Sequence, residues 1–149
     1  MQITKEFVIG GNAHFTVSNG LTYFRYQIKT SGRESLADSQ GSLLVYTWHN
    51  GRRLYVGRLN EYTGVVHIGR RSRFDNNAMA FKVILWACNV LWTGRNFPPG
   101  YHAETVGRCG HCGRKLADVN QYFGPECRRI SINRLSARLQ EYNLAYGRC

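Results

Sequence analysis

Ala13-His14-Phe15-Thr16-Val17-Ser18-Asn19-Gly20-Leu21-Thr22-Tyr23-Phe24-Arg25-Tyr26-Gln27-Ile28 is the stretch that sets the architecture. Apolar and polar residues alternate through Phe15 and Val17, then Ser18-Asn19-Gly20 interrupts, and a run rich in Tyr and Phe follows. Asn-Gly between two such runs supplies the positive φ angles that a tight hairpin needs. The reading is two antiparallel strands.

Outward from this hairpin the same grammar continues. Phe7 and Ile9 alternate before Gly10-Gly11-Asn12, which predicts a further strand and a turn. Residues 30–42 are polar and Gly/Ser-rich and read as a loop. Leu43 to Trp48 and Leu54 to Leu59 flank a second Asn-Gly pair, Asn50-Gly51, and Val65 to Ile68 follows Thr63-Gly64. Five or six short, mostly antiparallel strands are therefore expected in the first 70 residues.

The period then changes. Phe81, Ile84, Leu85, Cys88, Leu91 and Trp92 fall on one helical face, with Asp75 or Asn76 as cap, while Met79, Val83, Trp86 and Val90 make the other side apolar too. Such a helix must be covered from more than one direction. Thr93-Gly94 ends it, and Pro98-Pro99-Gly100 cannot continue it. The expected fold class is α+β, a small antiparallel sheet packed on one buried helix over residues 1–97, followed by a zinc-finger module over residues 98–149.

That module rests on Arg108-Cys109-Gly110-His111-Cys112-Gly113-Arg114 and, 15 residues after Cys112, on Gly124-Pro125-Glu126-Cys127-Arg128. A Cys-x-x-Cys turn puts two sulfurs on one side of a tight loop, and the following glycines permit the backbone that such a knuckle requires. Pro125 suits a first helical turn, which would place Cys127 where unpaired N–H groups and the helix dipole favour thiolate. This is the plan of a treble-clef-like finger with one structural zinc ion. A redox pair is the competing interpretation of Cys-x-x-Cys, but there is no thioredoxin-like βαβ context. For the fourth ligand His102 ranks ahead of His111, which sits between two ligating cysteines, and of the terminal Cys149. A last helix is expected from Cys127 to about Tyr146, with Ile132, Leu135, Leu139, Tyr142 and Tyr146 on its apolar stripe.

The net charge is +11, and 16 of the 20 basic residues are Arg. Residues 68–149 carry 13 basic and 5 acidic side chains, so most of the field belongs to the C-terminal half. An acidic partner is implied. Arg108, Arg114, Lys115, Arg128, Arg129, Arg134 and Arg138 would form one phosphate-contacting face, which Arg70, Arg71 and Arg73 could extend.

With 3 Trp, 9 Tyr and 7 Phe the chain has ample material for a core, and the five cysteines do not resemble a disulfide framework. No stretch reaches the roughly 20 apolar residues that span a bilayer. Gln2, Thr4, Lys5 and Glu6 lack the order of a secretory signal. A cytoplasmic protein is expected.

His102-Ala103-Glu104 with Cys109-x-x-Cys112 imitates parts of a zinc deaminase, but only four residues separate the two groups, and Cys127 would occupy the position a catalytic zinc leaves open. No phosphate loop or paired-carboxylate pattern appears, so the expectation is a protein without enzyme activity.

Gly10-Gly11-Asn12-Ala13-His14-Phe15-Thr16-Val17 near the start, with His102, Gly107 to Leu116 and Gly124-Pro125-Glu126-Cys127 near the end, resembles a family of small, largely phage- and prophage-encoded proteins known as domain of unknown function 6011. The likeness runs in order along roughly the whole chain. In that family a histidine shortly precedes the Cys-Gly-x-Cys-Gly-Arg run, which implies His102 as a ligand. The resemblance implies a phage origin and no settled activity. From it and the charge two functions follow as expectations: nucleic-acid binding through the basic C-terminal face, or anti-defence inhibition of a host nucleic-acid-processing complex by protein contact. Tyr23, Tyr26, Tyr46, Trp48 and Tyr55 are candidate anchors for the second.

Overall fold

In a computed structural model the chain is described over residues 1–30, 43–68 and 78–128. The predicted loop from residue 31 onward, Arg70, Arg71, Arg73, the cap at Asp75 or Asn76, Arg129, Arg134, Arg138, Cys149 and the last helix beyond Arg128 lie outside those residues.

The structure is α+β. Six strands, β1 (Asn12–Ser18), β2 (Tyr23–Thr30), β3 (Leu43–His49), β4 (Arg52–Leu59), β5 (Val66–Ile68) and β6 (His102–Thr105), form one antiparallel sheet in the order β5-β4-β3-β2-β1-β6. The first five make a meander. Both Asn-Gly pairs turn hairpins as expected: Gly20 has φ 91°, and the two-residue turn between His49 and Arg52 places Asn50 at φ 51° and Gly51 at φ 75°.

Residues 5–9 do not form the expected strand. Lys5–Val8 is a short helix, α1, whose Thr4 hydroxyl accepts a hydrogen bond from the Phe7 N–H at 3.2 Å. Ile3, Phe7, Val8 and Ile9 are all buried, and one helical turn can send consecutive residues inward where a strand would expose alternate ones.

The meander ends at β5 on one edge of the sheet, whereas β6 lies at the other. Within that crossing lies α2 (Met79–Trp92), which buries Ala80, Phe81, Ile84, Ala87, Cys88 and Val90, with Phe81, Ile84, Ala87 and Cys88 joining Phe15, Val17, Ile28, Val45 and Val56 in one core. Each large side chain of this kind contributes about 1.5–3 kcal/mol when removed from water. The helix starts later than expected, with Ala78 at the cap position and no side-chain capping bond. Tyr26, a candidate surface anchor by sequence, is instead fully buried, and its hydroxyl donates to the Ala80 carbonyl at 2.6 Å. The second apolar side is covered only in part: Val90 is buried and Trp86 meets Phe97 and Tyr101 edge-on, but Met79 is 61% exposed; on the first face Trp92 donates its indole N–H to the Glu61 carbonyl at 2.8 Å. Among the described residues no helix is long and apolar enough to cross a membrane.

Beyond Pro98-Pro99 the chain rejoins the same sheet over His102–Thr105. β6 pairs with β1 through Ser18↔His102 to Phe15↔Thr105, and the first residues run along its other side, Ile3 N–H to Ala103 O and Thr105 N–H to Met1 O both at 2.8 Å.

Candidate metal centre

From β6 the chain turns at Gly107 into a tight reverse hairpin closed by the Arg108↔Lys115 bridge, the Cys109 N–H to Arg114 O bond at 2.8 Å and the Gly113 N–H to Cys109 O bond at 2.9 Å. Its tip carries Cys109 and Cys112. Across from it residues 125–128 form a helical turn that begins at Pro125 and presents Cys127, with the Arg128 N–H bonded to Gly124 O at 2.9 Å.

The three sulfurs of Cys109, Cys112 and Cys127 lie within 4.8 Å of one another. Sulfurs about 2.3 Å from a tetrahedral ion stand about 3.8 Å apart, so the cluster has the spacing to hold a metal. The backbone is organised around it: the N–H groups of His111 and Gly124 point at the Cys109 sulfur from 3.5 and 3.4 Å. Burial pushes the Cys109 thiol up, but hydrogen bonds from the Cys112, Gly124 and His111 backbone and from the Cys112 side chain outweigh it and hold the thiol below its usual range. Cys127 moves the other way, to about 12, through burial and through the two sulfurs beside it. Deprotonating all three at this spacing would call for a cation between them, so the cluster could hold a metal ion. Cys88 stands apart in the core, where burial pushes it up to about 12 and keeps it an inert thiol.

Neither candidate histidine joins the three cysteines. His102 sits on β6 with an exposed side chain, its Nδ1 3.9 Å from Glu104 Oε1, because strand pairing with Ser18 fixes it at the sheet's edge. The His111 ring turns toward the sheet and donates from Nδ1 to the Gly10 carbonyl at 2.8 Å.

Sequence reasoning missed the seat on which the knuckle rests. Asn12 N–H bonds to Gly110 O and Gly110 N–H to Tyr122 O, both at 2.8 Å, and the Asn12 side-chain amide reaches Cys112 O at 3.5 Å. A β-carbon on Gly10 would come within 2.7 Å of the Phe123 ring and 2.8 Å of Gly110 O. One on Gly110 would come within 2.8 Å of the Phe7 ring. The signal was present as Gly10-Gly11-Asn12, legible as a turn but not as a docking site.

Of the basic residues, Arg108 is half-buried and closes the knuckle, Nη1 donating to Gly113 O at 3.0 Å, while Arg114, Lys115 and Arg128 are exposed. Comparison with known proteins brings no match, whether to a family model, a curated protein or a solved structure.

Proposed function

We propose that Cys109, Cys112 and Cys127 hold one structural zinc ion, completing a treble-clef-like finger with the C-terminal helix, and that the protein binds nucleic acid without enzyme activity. The close grouping of three thiols under two backbone N–H donors carries the zinc reading. Soft thiolates in a knuckle suit zinc, and a structural zinc of this kind supplies on the order of 10 kcal/mol to a module with little core of its own. The fourth position falls to a further group. Replacing His102, His111 and Cys149 one at a time in cobalt-loaded protein identifies it by the shift in the visible ligand-field bands.

The exposed Arg114, Lys115 and Arg128, joined by Arg129, Arg134 and Arg138, form the phosphate-contacting face in this reading, with Arg108 fixing the loop beneath. Arg70, Arg71 and Arg73 would extend it. A mobility-shift titration on generic DNA and RNA tests it: affinity should fall steeply with salt, and Arg134→Glu with Arg138→Glu should weaken it further. Capture of one specific host protein from nuclease-treated lysate, with no salt-sensitive shift, would replace nucleic-acid binding by the inhibitor of a host complex.

A further inference from the structure

The sheet has a second face, and no described helix packs on it. Ala13, Phe15 and Val17 point toward α2 and are buried, so Asn12, His14 and Thr16 point the other way, joined in register by Arg25, Gln27 and Lys29 of β2. Tyr46 and Trp48 of β3 pair with Tyr55 and Arg53 of β4 on the same side. This face is built of aromatics and cations. Arg25 lies over the Trp48 ring at 4.2 Å, Arg53 lies over the Tyr46 ring at 4.3 Å, and Tyr46 and Tyr55 meet edge-on with centroids 5.7 Å apart. Polar contacts fix it in place: Arg53 Nη1 donates to Gln27 Oε1 at 3.1 Å, and Gln27 Nε2 to Asn12 Oδ1 at 2.8 Å.

Its charge is predominantly positive. Of the cations on strands β1–β4, Arg25, Lys29, Arg53 and Arg58 stand on this face, Arg52 pairs with His49 on the opposite one, and these four strands contain no acidic residue. Glu104 of β6, in register with Thr16, is the acidic residue at the edge of this face, 3.9 Å from His102 Nδ1. Among the described residues no carboxylate comes within 4.0 Å of any of these four cations. His14, nine-tenths buried beside Trp48 with Nδ1 unpaired among the described residues, responds to the same field. Burial first, then Arg25, Arg108, Arg53 and Lys29, hold it uncharged down to about pH 4.

We propose that this face is a binding platform for single-stranded nucleic acid, with bases stacking on the Arg25–Trp48 and Arg53–Tyr46 pairs and phosphates meeting Lys29 and Arg58. The occupant follows from the chemistry. Unpaired bases stack on aromatic rings and guanidinium planes, and cations interleaved with rings track a phosphate backbone, whereas a duplex keeps its bases inside. An acidic protein surface would satisfy the charges but leave the ring–guanidinium stacks without planar partners. The proposal rests on the nucleic-acid reading above and places the contact on a different surface.

The test titrates the full-length, zinc-containing protein with fluorescent twelve-nucleotide oligo-dT, oligo-U and a duplex of the same length. Single strands should bind at least tenfold more tightly than the duplex. Lys29→Gln with Arg58→Gln, both exposed positions, should flatten the log affinity against log salt slope by about 1.4, the value for two lost single-strand phosphate contacts. Tyr46→Leu should cost about 5- to 150-fold, the range for one lost stacking contact. Because Tyr46→Leu could perturb the sheet, the salt slope of the Lys29/Arg58 variant decides independently. Binding weakened only by Arg114→Glu with Arg128→Glu would overturn the sheet platform and leave the finger face standing. Binding weakened only by the sheet variants would do the reverse. No binding to any of the three probes, or equal binding to duplex and single strand, overturns the platform.

Discussion

His111 Nδ1 lies 2.8 Å from the Gly10 carbonyl oxygen, so the tip of the cysteine knuckle is fastened to the turn that starts β1. Around that bond Asn12, Gly110, Tyr122 and Phe123 close the seam, and the Tyr122 hydroxyl donates to Gln2 O at 2.6 Å. The cysteine cluster and the sheet therefore support each other, which makes the seam a place where small changes act on both.

Gly10→Ala should destabilise the protein by about 1–3 kcal/mol, since its methyl group would have to displace the Phe123 ring and the Gly110 backbone together. Thermal unfolding of the zinc-loaded protein measures it. Gly20→Ala is the control, because nothing stands within 4 Å of its added carbon and only its positive φ is strained. Equal losses at the two sites would mean that the seam is looser than described.

Tyr26→Phe should cost about 1 kcal/mol, the worth of one hydrogen bond, because the hydroxyl ties the sheet to Ala80 near the start of α2. Chemical denaturation reads it directly. A change below a few tenths would show that the sheet–helix contact is purely apolar.

Stability should fall as the pH drops from about 6.5 toward 4 through His14. Its folded-state pKa, about 4, lies below the 6.5 of an unfolded histidine, so the unfolded chain binds the proton first. The contribution is fully present above pH 6.5 and is lost on acidification through this window. Urea midpoints at pH 7 and pH 5 should converge in His14→Gln relative to the parent protein. An unchanged difference would assign the pH dependence to other groups.

Both hairpins could be read from sequence because Gly20, Asn50 and Gly51 hold positive-φ positions that few other residues accept, while Asn19 accepts from the Leu21 and Thr22 N–H groups in its turn. Helix α2 was legible from its period, and the cysteine group from spacing alone. β6 was not, since His102 to Thr105 sends inward only Ala103 as a fully buried residue and four residues carry no readable alternation. α1 misled because Phe7 and Ile9 alternate while Val8 between them is equally buried. The Gly10–His111 contact spans a hundred residues of sequence, beyond what any local pattern reports.

Metal content measured by plasma mass spectrometry on reduced, natively purified protein goes straight to the centre at Cys109, Cys112 and Cys127. About one zinc per chain, falling to near zero with loss of cooperative unfolding in Cys112→Ser and Cys127→Ser, is the expected result. Metal-free protein with an unchanged unfolding transition in both variants would contradict the zinc reading.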